Sequence, residues 1–379
     1  MDIRLEAVPQ PIWPWQRHEG LPWPGLQFYH APNALPLDNG GELPHWHLAW
    51  EQWGSIDNPP LIVFHALTGN SRLTHHRPHD PPGWWQGVVG PDLAIDTKQW
   101  HVIAANVLGG AMGSSSPSSQ AGDGRPYGSR FPVMTLFDAA RAMYQLMGQV
   151  TDGRRPVTVV GGSMGGMMAL AYASLYPHQV AGVFAMGAPI AHLPWAIAYH
   201  AVGRAAIEHD PHFSGGDYYE REHGPDQGLA LARMNDMISY RSPQAMWQKF
   251  GRQYQDDRQE MFKIESYLKY QGQKLVKRFD ANSYLVLSRA MDQFALDDEA
   301  IRRLATVPVW LLAITGDMLY PASEIAYHAE QLQRAGVPTT LDYLPGRFGH
   351  DTFLLDQVGT GRWLSTGLGQ VRKHILAKA

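Results

Sequence analysis

Short apolar runs alternate with longer segments of helical periodicity over much of the chain. Four strand-like runs with many apolar residues, each bounded by turn residues, are typical of buried strands. They cover residues 47–53, 61–65, 101–107 and 157–160, and a helical pattern covers residues 135–146. Strands that alternate with helices predict a mostly parallel sheet flanked by helices, with a ligand site beyond the carboxyl ends of the strands.

The pattern changes after residue 187, where strand signals stop and helical periodicity takes over. Helical patterns cover residues 227–240, 243–253 and 264–294, strand patterns resume at 309–314 and 339–344, and a closing helix follows at 358–375. We therefore predict an α/β core made of residues 1–186 and 297–379, with an inserted helical cap, or lid, at 187–296. Residues 1–45 are rich in Pro, Trp and Gly and predict an irregular lead-in without a functional role.

The fourth strand-like run ends in Gly-Gly-Ser-Met-Gly-Gly at residues 161–166 and continues as an Ala-rich helical segment. A serine in a G-x-S-x-G turn projects its hydroxyl outward, because the glycines let backbone pass close to backbone. The first turn of the following helix directs free N–H groups at the same point, where they stabilise an oxyanion. Ser163 is therefore the candidate nucleophile, although the pattern also fits a glycine-rich turn of an ordinary α/β protein.

A serine nucleophile needs a histidine to take its proton and a carboxylate to orient that histidine. In the chain order that accompanies a G-x-S-x-G turn, the acid follows the serine and the histidine comes last. Asp317 follows the strand pattern at 309–314 and His350 follows the one at 339–344, so we predict a Ser163, Asp317 and His350 triad. The oxyanion donors are predicted at Met164, next to the nucleophile, and at Leu67, after the strand pattern at 61–65.

The composition narrows the possible chemistry. The chain contains no Cys, which excludes disulfides, thiolate nucleophiles and zinc–thiolate sites. Its 31 basic and 35 acidic residues give a formal net charge of -4 without a long block of either sign, which argues against a nucleic-acid or membrane surface as partner. With no such partner indicated, we expect a small substrate. The N-terminus is broken by prolines where an export signal needs an apolar run, so we expect a cytoplasmic protein.

Two further stretches carry polar groups. Residues 108–119, LGGAMGSSSPSS, lack both the Gly-Lys-Ser/Thr ending of a phosphate loop and the dinucleotide spacing, and we expect a loop that borders the site. The cluster of His75, His76, His79 and Asp80 is tightly spaced and flanked by prolines, which favours a solvated loop over a metal site. We expect no metal.

Motifs along most of the chain resemble one enzyme family. They are HALTGNS (65–71), PGWW (82–85), LGG (108–110), PYG (126–128) with FP (131–132), GGSMGGM (161–167), GGDYYE (215–220), GLALARM (228–234), KFGR (249–252), ESYLKYQG (265–272), RFDANSYL (278–285) and GHDTFL (349–354). Between about residues 47 and 356 the sequence resembles the homoserine O-acyltransferases of the α/β-hydrolase fold. Several of these blocks lie in the predicted cap, where a generic esterase has no reason to match.

The resemblance implies a two-step transfer of an acetyl group from acetyl-CoA to the hydroxyl of L-homoserine, in methionine biosynthesis. The acyl-CoA is a co-substrate, and no permanently bound cofactor is implied. The resemblance assigns the substrate carboxylate to Arg233, the substrate amine to Asp351 and a place in the same pocket to Tyr240, which core packing explains equally well. It also implies a homodimer formed through the cap helices, for which the amphipathic run at 244–253 is a candidate; this run equally fits packing against the core.

The chain departs from the family pattern at Ala111, at residues 114–117 (Ser-Ser-Ser-Pro), and in the linker that holds Arg72, Leu73 and His75. Succinyl-transferring members share nearly all of these motifs, so succinyl-CoA stays open as donor and serine as acceptor. Two other classes remain as alternatives. One is an esterase that uses the same triad with water, and the other is a non-catalytic binding protein on this fold.

Overall fold

The computed structural model describes residues 23–151, 153 and 155–378, so residues 1–22 of the lead-in predicted at 1–45 lie outside the described residues. Within them, eight strands form one sheet: β1 (Gln27–His30), β2 (His47–Trp53), β3 (Pro60–Phe64), β4 (His101–Ala105), β5 (Val157–Gly162), β6 (Val180–Met186), β7 (Val309–Thr315) and β8 (Thr339–Pro345). Their order across the sheet is β1-β2-β4-β3-β5-β6-β7-β8. Strand β2 is antiparallel to both β1 and β4, and the other neighbouring pairs are parallel.

Helices cover both faces of this sheet, which is why its central strands read as continuous apolar runs. They are α1 (Leu136–Val150), α2 (Met164–Leu175), α3 (Pro194–Glu208), α4 (Asp226–Ser239), α5 (Pro243–Phe250), α6 (Lys263–Val276), α7 (Ala281–Asp292), α8 (Asp298–Arg303), α9 (Ala322–Arg334), α10 (Thr352–Leu355) and α11 (Gln357–Lys378). Two short strand pairs, Leu35–Pro36 with Glu42–Leu43 and Val89–Gly90 with Ile95–Asp96, lie outside the main sheet.

Alternate side chains of β3 show how the core is divided. Ile62 and Phe64 belong to the cluster that contains α1 and α2, whereas Leu61 and Val63 belong to the cluster on the opposite face, which contains α11. Helix α2 is apolar around its whole circumference because it is buried on all sides. The expected mostly parallel sheet, flanked by helices, is confirmed.

Helices α3 to α7 lie between β6 and β7 in the chain. The two ends of this insert pair with each other: the N–H of His192 donates to the carbonyl of Phe294, and the N–H of Leu296 donates to that of Ile190, both at 2.8 Å. The insert therefore leaves and re-enters the core at one place. Its assignment as a separate cap with limits at residues 187 and 296 stays a prediction.

Three elements differ from the expectations. Strand β1 lies within the stretch predicted to be irregular, because a four-residue edge strand leaves little periodicity to detect. Strand β6 was not identified from its pattern. The helical pattern at 264–294 is two helices, because Asp280 caps α7 by accepting a hydrogen bond from the N–H of Ser283. Among the described residues, no helix combines the length and apolarity needed to cross a membrane.

Candidate active site

Ser163 occupies the turn between β5 and α2. Its backbone has φ 55° and ψ −128°, a strained conformation of the kind that costs about 1–3 kcal/mol and collects at functional sites. The turn requires glycine on both sides: a Cβ on Gly161 would overlap the carbonyl of Gly165, and a Cβ on Gly165 would overlap the carbonyl of Phe64. The glycines thus let the turn pass directly over β3.

Asp317 and His350 follow β7 and β8, and the parallel sheet brings them together. Nδ1 of His350 lies 2.7 Å from Oδ2 of Asp317. The other carboxylate oxygen, Oδ1, accepts hydrogen bonds from the N–H groups of Leu319 at 2.8 Å and Tyr320 at 2.9 Å. Both carboxylate oxygens of Asp317 therefore have hydrogen-bond partners, and the ring of His350 is held in one orientation.

The other ring nitrogen of His350 is available for proton transfer. Nε2 is buried and has no hydrogen-bond partner among the described residues. Burial lowers the pKa of His350, but the charge of Asp317, the hydrogen bond to it and the nearby Asp351 outweigh burial and raise the pKa above its ordinary value. The histidine is thus a stronger base than an isolated buried imidazole.

Ser163 and His350 border the same cavity, whose volume is about 470 Å³. The predicted residues Leu67, Arg233, Tyr240 and Asp351 also line it. Met164 and Asp317 lie behind this lining, next to Ser163 in the chain and hydrogen-bonded to His350, respectively. The structure therefore gathers all eight predicted site residues around one cavity; their roles stay predictions.

The two predicted oxyanion donors lie at the start of α2 and in the loop after β3. The carbonyl of Ser163 accepts from the N–H groups of Gly166 and Met167, so the N–H of Met164 precedes the first helical hydrogen bond. Leu67 lies inside the turn closed by the N–H of Gly69 and the carbonyl of Ala66, at 2.8 Å.

His65, which had no predicted role, stabilises this turn. Its Nδ1 lies 2.8 Å from the carbonyl of Ala66, to which it donates, and its Nε2 accepts from the N–H of Val107 at 3.0 Å. Burial, opposed by the bond to Ala66, lowers the pKa of His65 to about 4, so the ring stays neutral and keeps both contacts at neutral pH. Its place in the HALTGNS block was the available signal.

Two of the arginines that line the cavity, Arg233 and Arg278, are electrostatic neighbours. Nη1 of Arg233, on α4, is buried and has no hydrogen-bond partner within the described part of the chain. Arg278 donates from Nη1 to the carbonyl of Thr68 at 2.6 Å. Burial and the neighbouring charge of Arg233 lower the pKa of Arg278 to about 10. An anion bound between the two guanidinium groups would accept the hydrogen bond that Nη1 of Arg233 lacks and would reduce the repulsion between the two positive charges.

Tyr240 lies between these groups and the predicted base. The guanidinium carbon of Arg233 is 5.5 Å from the centre of the Tyr240 ring, and that ring is 5.6 Å from the ring of His350. Asp351 forms an ion pair with Arg241, with Nη2 and Oδ2 3.3 Å apart. The carboxylate predicted to hold an amine thus has Arg241 as a cationic partner.

Two expectations about the neighbouring loops need correction or refinement. None of residues 108–119 lines the cavity, because the loop packs across β2, where Oγ of Ser114 accepts from the N–H of Ala49 at 3.0 Å. Arg72 does line the cavity. In the His75 cluster, His76 contacts Glu51 at 3.0 Å and His75 contacts Gln86 at 2.7 Å, so these histidines have separate protein partners.

Comparison with known proteins assigns the family. Residues 59–357 match the family model described as alpha/beta hydrolase fold. The chain is 42% identical over 372 residues to the homoserine O-acetyltransferase of Symbiobacterium thermophilum, covering 93% of this chain and 94% of the relative. It is 39% identical over 356 residues to that of Thermobifida fusca, covering 89% and 92%.

The structure is also similar to the crystal structure of homoserine O-acetyltransferase from Bacillus anthracis. The TM-score is 0.82 at 22% sequence identity, with 90% of this chain and 96% of that chain covered. At this identity the similarity supports the fold alone, whereas the sequence relatives carry the family assignment. The chain belongs to the homoserine O-acetyltransferase family of the α/β-hydrolase fold.

Proposed function

We propose that the protein transfers the acetyl group of acetyl-CoA to the hydroxyl of L-homoserine through an acyl-serine intermediate. The observation that carries the proposal is the buried Nε2 of His350, which is unpaired among the described residues, in a side chain that borders one cavity with Ser163 and is held by Asp317. A general base with a free lone pair beside a serine on a strained turn is the arrangement that acyl transfer requires.

In the first step, His350 Nε2 takes the proton of the Ser163 hydroxyl while Oγ attacks the thioester carbonyl. The tetrahedral oxyanion accepts hydrogen bonds from the N–H groups of Leu67 and Met164. The C–S bond then breaks, and the leaving thiolate of coenzyme A takes the proton from His350. Ser163 is left acetylated.

In the second step, His350 takes the proton of the homoserine hydroxyl, whose oxygen attacks the acetyl-serine carbonyl. The same two N–H groups stabilise the second oxyanion. The bond to Ser163 Oγ breaks, and this oxygen recovers the proton from His350. The base is used in both half-reactions, so a raised pKa of His350 serves proton transfer in both directions.

The charges that line the cavity suit both substrates. We assign the homoserine carboxylate to Arg233, whose buried Nη1 has no partner among the described residues and whose planar fork suits bidentate binding, with Arg278 beside it. We assign the substrate amine to Asp351, where the amine either displaces Arg241 from the carboxylate or binds next to it. Arg72 and Lys274 add positive charge to the lining, which favours the phosphates of an acyl-CoA.

Replacement of Ser163 by Ala tests the proposal. We expect Ser163→Ala to abolish thiol release from acetyl-CoA in the presence of homoserine, while Ser118→Ala, in the loop across β2, keeps wild-type turnover. Product masses with homoserine, serine or no acceptor, and with acetyl- or succinyl-CoA, identify donor and acceptor. Equal thiol release with and without homoserine would replace the proposal by hydrolysis, and retained transfer in Ser163→Ala would refute it.

We further propose that a second copy of the chain covers the exposed face of the cap helices. Large apolar side chains are more than half exposed at Leu231 (53%), Trp247 (68%) and Tyr270 (58%), on α4, α5 and α6. In the run at 244–253, Phe250 packs inward against Tyr267 while Trp247 points to solvent. Exposed apolar groups of this size on neighbouring helices are typical of an interface.

Light scattering after gel filtration tests the dimer. We expect Trp247→Glu to give a monomer, and Val358→Glu, at a similarly exposed apolar position on α11, to stay a dimer. A monomeric wild-type protein, or a dimer that both variants retain, would contradict the use of this face.

A further inference from the structure

A second Asp–His–hydroxyl arrangement lies directly behind the predicted triad. The side chain of His192, where the two ends of the insert meet, is fully buried. Its Nδ1 is 3.2 Å from Oδ1 of Asp292, at the end of α7, and its Nε2 is 2.9 Å from the hydroxyl oxygen of Tyr320. Three elements of the fold therefore meet at this one imidazole.

Asp292 is held from two further sides. Nδ1 of His200 lies 2.7 Å from the same oxygen, Oδ1, and Nη1 of Arg204 lies 2.7 Å from Oδ2. Burial raises the pKa of Asp292, but these three partners outweigh burial and lower the pKa far below its ordinary value. Asp292 is therefore an ionised carboxylate, which accepts hydrogen bonds and donates none.

The positions of the protons follow from this charge. Nδ1 of His192 has no hydrogen-bond partner among the described residues, but the ionised carboxylate of Asp292, 3.2 Å away, favours the ring proton on Nδ1. Burial lowers the pKa of His192, so the ring is neutral and Nε2 carries a lone pair. The hydroxyl of Tyr320 must then donate to Nε2. The hydroxyl proton of Tyr320 thus points at His192, and the ring proton of His192 points at Asp292.

Tyr320 touches both members of the Asp317–His350 pair. Its ring packs edge-on against the ring of His350, with the centroids 5.2 Å apart. Its backbone N–H donates to Oδ1 of Asp317 at 2.9 Å. The side chain is completely buried, so the bond to His192 fixes the far end of a residue whose near end contacts the two groups that must stay aligned.

We propose that the chain Asp292–His192–Tyr320 holds the Asp317–His350 pair in its productive geometry, which makes His192 and Tyr320 positioning residues. The proposal rests on the proposed function only through the use of Ser163 and His350. It also gives the insert a role in catalysis, since His200 and Arg204 on α3 and Asp292 on α7 anchor a contact that ends at the triad.

A metal ion is the competing interpretation of the same cluster, because ligand atoms of His192, His200 and Asp292 lie within 4.8 Å of one another. The guanidinium of Arg204, at 2.7 Å from Oδ2, already balances the charge of Asp292 and would repel a divalent cation. We therefore favour the series of contacts from Asp292 through His192 to Tyr320 and include Zn²⁺ in the test.

Three substitutions test the contacts at the two ring nitrogens of His192 separately. Tyr320→Phe removes only the hydroxyl. The Gln amide in His192→Gln reaches the place of Nε2, whereas the shorter amide in His192→Asn reaches only the place of Nδ1. Tyr327→Phe, at an exposed tyrosine on α9, is the matched control.

We expect Tyr320→Phe and His192→Asn each to lower kcat about 3- to 10-fold, the range for one lost hydrogen bond, with KM unchanged. His192→Gln should restore most of kcat, and the double variant Tyr320→Phe/His192→Asn should be no slower than either single variant, because both break one contact. The low-field NMR signal of the His350 Nδ1 proton should shift or broaden in the two impaired variants and be restored in His192→Gln.

The rate at which a fluorophosphonate labels Ser163 depends on His350 and on no acceptor, so it tests positioning even if homoserine is not the substrate. The labelling rate should follow kcat across the variants. Equal losses in His192→Gln and His192→Asn, or an unchanged labelling rate in Tyr320→Phe, would overturn the proposal. A rise in Tm with Zn²⁺ that His200→Ala abolishes would replace it with a metal site.

Discussion

The exchange Asp317→Asn tests how the site orients its base. Oδ1 of Asp317 accepts two backbone N–H groups, and Oδ2 faces Nδ1 of His350 at 2.7 Å. In the Asn variant, the amide oxygen must take the position of Oδ1, because an NH₂ group there would face two donors. The NH₂ group then points at Nδ1 of His350, which has to accept, and the ring proton moves to Nε2. The nitrogen that takes the proton of Ser163 is then blocked.

The size of the loss in kcat distinguishes a lost hydrogen bond from a wrong tautomer of His350. Loss of a hydrogen bond to a charged group costs about 1.5–3 kcal/mol, which alone lowers kcat roughly 10- to 100-fold. The wrong tautomer adds to this loss, and the same exchange in a serine protease lowers kcat about 10⁴-fold. Because both carboxylate oxygens of Asp317 have fixed partners, the amide has no second orientation, and we expect a loss of about 10³- to 10⁴-fold.

The pH dependence gives a second readout. Activity requires neutral His350, so in the wild type it should rise with pH through a pKa above the ordinary value for histidine, since the charge of Asp317 outweighs burial. In Asp317→Asn the effect of burial is opposed only by Asp351, and the acid limb of the residual activity should move to lower pH.

The assay is thiol release from acetyl-CoA with saturating homoserine from pH 5 to pH 9, together with Tm. Asp298→Asn, at an exposed carboxylate on α8, is the control and should behave as wild type. A folded Asp317→Asn variant with kcat within tenfold of wild type, or with an unmoved acid limb, would refute the reasoning.

Three further outcomes follow from the structure. Gly165→Ala should not give a stably folded protein, because its Cβ would overlap the carbonyl of Phe64. Gly148→Ala on α1, where a Cβ meets nothing within 4 Å, should raise the free energy of unfolding by about 0.5–1 kcal/mol in urea titrations. Equal behaviour of the two variants would contradict the packing argument. Arg233→Lys should raise KM for homoserine about tenfold or more and leave the acetylation burst from acetyl-CoA unchanged, since lysine lacks the bidentate fork; an unchanged KM would remove Arg233 from the carboxylate site. His350 should stabilise the fold fully below its unfolded pKa of about 6.5 and progressively less as pH rises through its higher folded pKa, so the unfolding free energy of wild type minus that of His350→Gln should fall from pH 6 to pH 9; a rise would mean that the folded pKa is lowered.

Local sequence was sufficient for the elements whose signals are local. The strand-like runs predicted strands β2, β3, β4 and β5, and the glycines around Ser163 predicted the turn, because only glycine fits where backbone crosses backbone. Strand β1 escaped prediction, since a short edge strand is selected by its partner β2 more than by its own residues. The break at Asp280 shows the same limit, because a capping aspartate inside an apolar periodicity also fits a continuous helix.

The sequence by itself determined the fold class and the family, and it predicted the order of nucleophile, acid and base, because these depend on periodicity, glycine positions and motifs. Only the tertiary structure decided which side chains share the cavity. It placed Arg278 beside Arg233, excluded residues 108–119 from the lining, and brought His192 to Tyr320 across 128 positions of chain. The physical reason is that electrostatic and hydrogen-bond partners are set by distance in space, and a one-dimensional pattern contains no information about which distant residues the sheet brings together.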